Sequence, residues 1–366
     1  MMTRRTNEGK LSLRTKMRMQ YERNSRQLAA TPSYLAAARY RLHGNALRFI
    51  RETHQELPPQ PSPGRRTLIL FAHFDLQGIV DPYVVYYLEA LHGLGATIIF
   101  VSGSPKLRPE SVAPIRSLCA GIYTRRTLSL DFGSWHLAWS ILRRRGWSLD
   151  QFDRLVIAND SVFGPLFPIE EMWSSFHDAD MYGAIESAEQ SSHLQSFFLA
   201  WDLNSRTRAF LNDFWDGFQY IVDKDILVQQ YEIGVTERAR AAGLSVKPFI
   251  AVDTIKEAYA RSPAHEWAST LSEASTNNTL YFWDGLIEHL RFPFLKTILP
   301  RHNKPWHNSM THLREFIEQH TTYPYGLIES NVERLGFGSS SWVKIRVQSE
   351  ASPVDLHPRP TGGGIT

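Results

Sequence analysis

The stretch LVIANDSVFGPLFPIEEM, residues 155–172, runs an apolar segment straight into Asn159, Asp160 and Ser161 and then stops at Gly164-Pro165. A carboxylate at the C-terminal tip of a buried strand stands where open α/β sheets bind ligands, because the strand ends and the turns after them frame a crevice. Two further positions have the same character. AHFDLQG offers His73 and Asp75 after an earlier strand, and LSLDFGSW offers Asp131 just before a helix start. Strand-tip carboxylates suit a hard divalent cation, Mg²⁺ or Mn²⁺, which takes one or two of them and completes its shell with phosphate oxygens and water. Neither G-x-G-x-x-G nor G-x-x-x-x-G-K-[ST] occurs, so dinucleotide redox chemistry and P-loop phosphoryl transfer lose their support. Plainer readings stay open: an Asn-Asp-Ser turn and a simple helix N-cap at Asp131.

The elements that must position these residues alternate. TLILFAHF (67–74) predicts a strand. DPYVVYYLEALHGLG (81–95) predicts a helix with Asp81 as N-cap and Pro82 at its first position. ATIIFVSGS, GIYTRR, FDRLVIAND (152–160) and ADMYGAIES (179–187) read as further strands, with GSWHLAWSILRRRG (133–146) as a helix between them. HLQSFFLAWD (193–202) predicts one strand and EIGVTERARAAGL (232–244) one helix. FWDGLIEHLRFPFLKTILPRHNK (282–304) predicts a helix broken at Pro293. Strands alternating with helices of about a dozen residues predict a doubly wound, largely parallel α/β sheet. Glu186, at the tip of the 179–187 strand, adds another carboxylate at a strand end.

With 366 residues, 43% of them hydrophobic, the chain is long enough to bury a large core. The lone Cys119 excludes an internal disulfide, and no Cys/His cluster offers a structural zinc site. We therefore expect a reducing, cytoplasmic compartment. No run approaches the roughly 20 apolar residues of a membrane span. Residues 1–66 carry 14 Lys/Arg and four Glu, a formal +10, whereas the whole chain carries only +3. Within that basic leader, SYLAAARYRLHGNALRFIRE predicts an amphipathic helix able to lie on an anionic bilayer or to pack on the body. ELPPQPSPGRR (56–66) is a Pro-rich linker. The expected organisation is a leader and linker over 1–66, a main domain over 67–345 and a disordered tail over 346–366. Aromatic-basic interleaving is sparse and no nucleic-acid-binding motif follows, so no nucleic acid is expected as a partner.

LVIANDSVFGPLFPIEEM, DADMYGAIES, HLQSFFLAW, YEIGVTERARAAGL and WDGLIEHLRFPFLKTILPRHN, with the earlier HFDLQGIVDPYVVYYLEAL and LDFGSWHLAW, resemble the rhamnan synthesis protein F family across roughly residues 67–305. That resemblance implies a GT-A-like (Rossmann-like), mostly parallel sheet flanked by helices, here behind a helical basic leader. It also implies a glycosyltransferase of bacterial surface polysaccharide assembly. Such an enzyme would move a deoxyhexose, L-rhamnose from a dTDP donor, onto a glycan or lipid-linked acceptor, with inversion, at the inner membrane face. Asp160, with Asn159 and Ser161, then occupies the place of the Asp-x-Asp metal and diphosphate motif, with one Asp instead of two. His73 and Asp75 would face the base and ribose, and Asp131 the nucleotide-sugar edge. Glu232 would be the general base that takes the acceptor proton, with Glu186 and His193 as competing bases. Arg301, His302 and Lys296 would meet the diphosphate. Phe198, Trp201 and Tyr231 are rings able to stack on sugars, or core. A retaining transferase, a catalytically degenerate glycan-binding or scaffold subunit, and a glycoside hydrolase built on Asp160, Glu186 and Glu232 remain as alternatives.

Overall fold

The computed structural model describes residues 35, 37, 38, 40, 44–126, 128–260, 277–301 and 312–336. Its strands are β1 (Ile50–Gln55), β2 (Thr67–His73), β3 (Ala96–Ser102), β4 (Cys119–Arg125), β5 (Arg154–Asn159), β6 (Val162–Phe163), β7 (Met181–Ser187), β8 (His193–Leu194), β9 (Phe198–Asp202), β10 (Val246–Ile250) and β11 (Leu295–Lys296). The helices used below are α1 (Pro82–Gly93), α2 (Leu130–Arg144), α3 (Ser205–Asp216), α4 (Gly234–Ala241), α5 (Ile298–Arg301) and α6 (Gly326–Arg334).

β2 is buried at every position, which is why it reads as an unbroken apolar run. Its alternation assigns two cores. Ile69 and Phe71 face Tyr83, Tyr87 and Leu91 of α1, whereas Leu68, Leu70 and Ala72 face Phe132, Trp135 and Trp139 of α2. The resulting sheet has nine strands in the order β1-β4-β3-β2-β5-β9-β7-β10, with β8 paired to β7. β2, β3, β4 and β5 are mutually parallel, β7 is parallel to β10, and β9 runs antiparallel between β5 and β7. The expected mostly parallel, helix-flanked α/β sheet is therefore present. Its strand order reverses at β2, with β3 on one side and β5 on the other, and such a reversal opens a crevice at the C-terminal ends of the strands.

Four local expectations need correction. Residues 193–202 form two strands: β8 pairs with Glu186 and Ser187, and the chain turns through Gln195–Phe197 before β9 pairs with Met181–Gly183 and with β5. The predicted helix at 232–244 is only α4, preceded by a π-helical segment, Val228–Ile233, which contains Glu232. Between 282 and 304 the chain forms the helix Trp283–Leu290, then β11, then α5. The leader helix does not continue through Glu52, because Ala46–Phe49 is a 3₁₀ turn and Ile50–Gln55 is β1, antiparallel to β4. The rest of the leader before residue 35, His302 and the 346–366 tail lie outside the described residues.

Candidate active site

A cavity of about 660 Å³ opens at the C-terminal ends of β2 and β5, lined among others by His73, Asp75, Tyr83, Asp131, Asp160 and Arg301. Asn159, outside that lining, bonds two residues within it. Its Oδ1 accepts the Ser161 backbone N–H at 3.1 Å and the Ser161 hydroxyl at 2.6 Å, and its Nδ2 donates to Asp131 Oδ2 at 2.8 Å. The Asn-Asp-Ser turn reading was therefore correct for Asn159, and the same turn ties the β5 tip to α2. Asp160 points onward: Oδ2 accepts the Phe74 N–H at 3.0 Å, and its main-chain carbonyl accepts the Tyr83 hydroxyl at 2.8 Å. Asp131 is not the N-cap of α2. Ser129 holds that position, and Asp131 lies one residue inside the helix, where its carboxylate is free to face Asn159.

Arg125, almost fully buried, builds the turn that delivers Asp131. Its guanidinium donates to the carbonyls of Arg126, Leu128 and Leu130 and to Ser134 Oγ. Ser129 and Leu130 take left-handed backbone angles, φ 59° and 44°, an unfavourable state for non-glycine residues that these bonds hold in place. Gly133 makes room for the guanidinium, since a Cβ there would lie 2.8 Å from Arg125 Nη2 and 2.0 Å from the Leu128 carbonyl oxygen. Across the cavity mouth, Gly78 at φ 72° packs so tightly on the Lys106 carbonyl that a Cβ would sit 1.8 Å from it. That contact fixes the loop carrying Asp75.

Burial pushes the Asp131 carboxyl up to about 7, and the Asp160 charge adds to the effect. Burial likewise pushes Asp160 up to about 7, against the Phe74 N–H and Arg301, which favour its charged form. Two carboxyl groups raised together want a positive partner. Among the described residues, no group of three or more His, Cys, Asp or Glu side chains is placed to hold a metal ion. Asp131 and Asp160 nevertheless fit an ion that takes two carboxylates and draws its other ligands from diphosphate and water, the mode usual for Mg²⁺.

His73 is buried and pushed down to about 4 by that burial, against the nearby carboxylates of Asp75 and Asp81. At neutral pH it is uncharged, so its 3.7 Å approach to Asp160 Oδ2 is not an ion pair. Its Nε2 donates to the Ile79 carbonyl at 3.2 Å and its Nδ1 lies 2.9 Å from Ser102 Oγ. His73 thus braces the loop that follows β2. Asp75 accepts N–H bonds from Gln77 and Ile79 and pairs with Arg334 of α6; burial opposes its charge, but these partners hold the carboxyl below its usual value. Asp81 sits at the N-cap position of α1 without capping it, because its carboxylate binds Asn331 and Arg334 instead.

The basic groups come from late in the chain. Arg301 donates to Asn331 Oδ1 at 2.7 and 3.0 Å and stacks over Phe163 at 5.8 Å. Lys296 Nζ lies 4.0 Å from the centre of the Phe197 ring; burial pushes it down to about 8 while the charges of Glu232 and Asp131 pull it back up. Glu232 does not line the cavity but stands close enough for its charge to act on Asp131 and Lys296, with Oε1 accepting the Ser196 N–H at 3.4 Å. Glu186 and His193 have different surroundings. Glu186 accepts the Ser192 hydroxyl at 2.6 Å and the Val252 N–H at 3.2 Å, and His193 Nδ1 donates to the Ser191 carbonyl, both outside the cavity lining. Phe198, Trp201 and Tyr231 are core residues, none more than 2% exposed. Arg125, Tyr83, Asp81, Asn331 and Arg334 were not singled out as site residues from the sequence. Only Asp81 and Tyr83, beside a helix-starting Pro82, carried any local signal.

The sequence model of the rhamnan synthesis protein F family matches residues 98–351. The chain belongs to that family. A curated relative, virulence protein VirA of Vibrio anguillarum, is 23% identical over 198 residues, which cover 50% of this chain and 64% of VirA. The chain thus spans less than two thirds of that relative. Among solved structures, a putative nucleotide-diphospho-sugar transferase from Desulfovibrio desulfuricans G20 is 12% identical, covering 70% of this chain and 98% of its own, with a TM-score of 0.33. The galactosyltransferase LgtC with donor and acceptor sugar analogues is 13% identical, covering 70% and 97%, with a TM-score of 0.31. The mannosyltransferase PcManGT from Pyrobaculum calidifontis, in complex with GDP-Man and Mn²⁺, is 11% identical, covering 88% and 90%, with a TM-score of 0.31. Likeness at that level says nothing of individual residues. Among the described residues no helix is long and apolar enough to cross a membrane.

Proposed function

We propose that this member of the rhamnan synthesis protein F family is a glycosyltransferase of polysaccharide biosynthesis. It takes a nucleotide-diphospho-sugar in the cavity at the β2–β5 switch point and transfers the sugar to a glycan or lipid-linked acceptor. The observation that carries this reading is the Asp131–Asp160 pair at that switch point, with Arg301 acting on the Asp160 charge from the same cavity wall. Two carboxylates and a guanidinium in one crevice match a donor whose diphosphate is bridged by a divalent cation. Mg²⁺ or Mn²⁺, when bound there, supplies charge that stabilises the departing diphosphate. The family points to L-rhamnose from a dTDP donor as the transferred sugar.

The chain's own residues divide the work. Asp131 and Asp160 hold the cation, Arg301 and Lys296 face the diphosphate, and the braced His73–Asp75 loop borders the nucleoside. Glu232 takes the proton of the acceptor hydroxyl as its oxygen attacks the anomeric carbon, and the carbon–diphosphate bond breaks on the opposite face, giving inversion in a single displacement. Contact with an anionic membrane through the basic leader belongs to the same reading, and flotation with anionic against neutral vesicles tests it.

A thermal-shift panel of dTDP, UDP, GDP and their sugars, each with and without Mn²⁺, tests the donor site. A ligand bound only by the native state raises the melting temperature by mass action. A selective, Mn²⁺-enhanced shift that is lost in Asp160→Asn is expected. Flat curves from folded protein would move the reading to a glycan-binding or scaffold subunit.

A further inference from the structure

Arg125, Arg301 and Arg334 all line the Asp131–Asp160 cavity, and they differ in what holds them. Arg125 commits its guanidinium to three main-chain carbonyls and Ser134 Oγ. Arg334 is matched by the carboxylates of Asp75 and Asp81. Arg301, at the end of α5, is held by neutral acceptors. Its Nε and Nη2 both donate to Asn331 Oδ1, at 3.0 and 2.7 Å. Tyr83, whose hydroxyl proton goes to the Asp160 carbonyl, hydrogen-bonds the same guanidinium through its oxygen.

Asn331 lies on α6 and has no exposed surface, so its amide has to be satisfied from within the protein. Its Nδ2 donates to Asp81 Oδ2 at 2.5 Å, an oxygen that also accepts from Arg334 Nη2. A guanidinium offers only donors and a carboxylate only acceptors, so a single orientation of the amide meets both neighbours; the flipped one would set Nδ2 against Arg301 and Oδ1 against Asp81. Asn331 Oδ1 therefore grips the Nε–Nη2 edge of Arg301, and the end of the fork at Nη1 is turned away from it. Phe163, 5.8 Å from the guanidinium carbon, lies against its face. A carboxylate in place of the amide would form the bidentate ion pair that arginine favours and would cancel its charge. The amide fixes the same edge and leaves the guanidinium cationic toward the cavity, where its charge acts on Asp160.

We infer that Asn331 is the positioning residue for Arg301: it sets the guanidinium in place through a neutral amide and so keeps its charge for the diphosphate of a nucleotide. Asn331 itself touches no ligand, and its role rests on the proposed donor site. α6 then does two separable things, with Arg334 fastening the loop after β2 and Asn331 aiming the cation across the cavity.

Isothermal titration of the full chain with dTDP, UDP and GDP in the presence of Mn²⁺ tests this, with the melting temperature of each variant measured alongside. For a nucleotide that wild type binds, Arg301→Ala is expected to weaken binding by about 10-fold or more, and Asn331→Leu several-fold. Arg301→Ala/Asn331→Leu is expected to bind no more weakly than Arg301→Ala, because Asn331 acts through Arg301; a merely structural Asn331 would instead multiply the two losses. The exchange Asp81→Asn/Asn331→Asp keeps the net charge and leaves Arg334 its Asp75 partner, but moves a negative charge onto Arg301. It is expected to weaken binding by about 10-fold. Should Asn331→Leu not fold, the exchange decides alone. Multiplied losses in the cycle, an exchange variant within about 2-fold of wild type, or full-strength binding by Arg301→Ala each overturn the role of Asn331 and leave the donor site standing. Folded wild type that binds none of the three nucleotides overturns the donor site, and the role of Asn331 with it.

Discussion

Arg334 Nη2 lies 2.7 Å from Asp75 Oδ2 and also contacts Asp81 Oδ2, joining the last described helix to the loop and helix that follow β2. The Arg334 side chain is 18% exposed and those of Asp75 and Asp81 are 10% and 7%, so this is a largely buried ion triad. Removing the single cation leaves two carboxylates without their partner. We expect Arg334→Gln to cost roughly 3–5 kcal/mol in a urea titration. A change below about 1 kcal/mol would mean that α6 is not fastened to the cavity by this pair.

Asn159 donates to Asp131 Oδ2 and brings no charge to either the Asp131 or the Asp160 carboxyl. Asn159→Asp adds a third carboxylate to a site where burial already pushes both neighbours to about 7. The variant is expected to melt lower than wild type in chelator, and to recover more with millimolar Mn²⁺ than wild type gains. Equal Mn²⁺ responses in the two proteins would argue against cation binding between Asp131 and Asp160.

Glu232→Gln is expected to keep the nucleotide-induced thermal shift while lowering sugar transfer by about 10²-fold or more, the usual scale for losing a general base. Glu186→Gln and His193→Gln, whose partners lie outside the cavity lining, are expected to keep most activity. Near-normal turnover in Glu232→Gln would remove it from the mechanism.

His136 provides a pH prediction away from the site. It packs against Tyr40 and Tyr220, stacks on Phe218, and is pushed down to about 3 by burial and then by Arg125. Between the ordinary imidazole value of about 6.5 and that value, the unfolded chain binds a proton that the folded chain refuses. Stability is therefore whole above pH 6.5 and falls as the pH drops, by up to about 1.4 kcal/mol per pH unit from this group alone. His73, held down to about 4, acts in the same direction. In His136→Phe, the loss of stability from pH 6 to pH 4 is expected to be shallower than in wild type; parallel slopes would exclude His136 as a source.

The strands were legible because a doubly covered parallel sheet demands continuous apolar runs, as in β2 and β5, and the carboxylates at their tips stood out against that background. Asp131, Asp160 and Arg301 do line one cavity. Local pattern failed where pairing overrides it. HLQSFFLAWD holds polar Gln195-Ser196 where the chain turns between β8 and β9, but no Gly or Pro punctuates that turn, and the aromatics after it read as one continuous strand. The basic, Ala-rich leader reads as helix up to Glu52, yet Ile50–Gln55 finds hydrogen-bond partners on β4. The Arg334 contacts were invisible for a different reason: a separation of 259 residues from Asp75 leaves no periodic trace in either segment.

β1 precedes the Pro-rich segment, so the natural place to cut the chain, at the start of β2, is the wrong one. A fragment beginning at Thr67 would strip the outer strand from β4 and leave a row of unanswered N–H and C=O groups along Cys119–Arg125. Such an open border recruits strands from other molecules. Shortened versions of this protein would then self-associate for reasons unrelated to catalysis, and trimming that stops before Asn45 keeps β1 paired on β4.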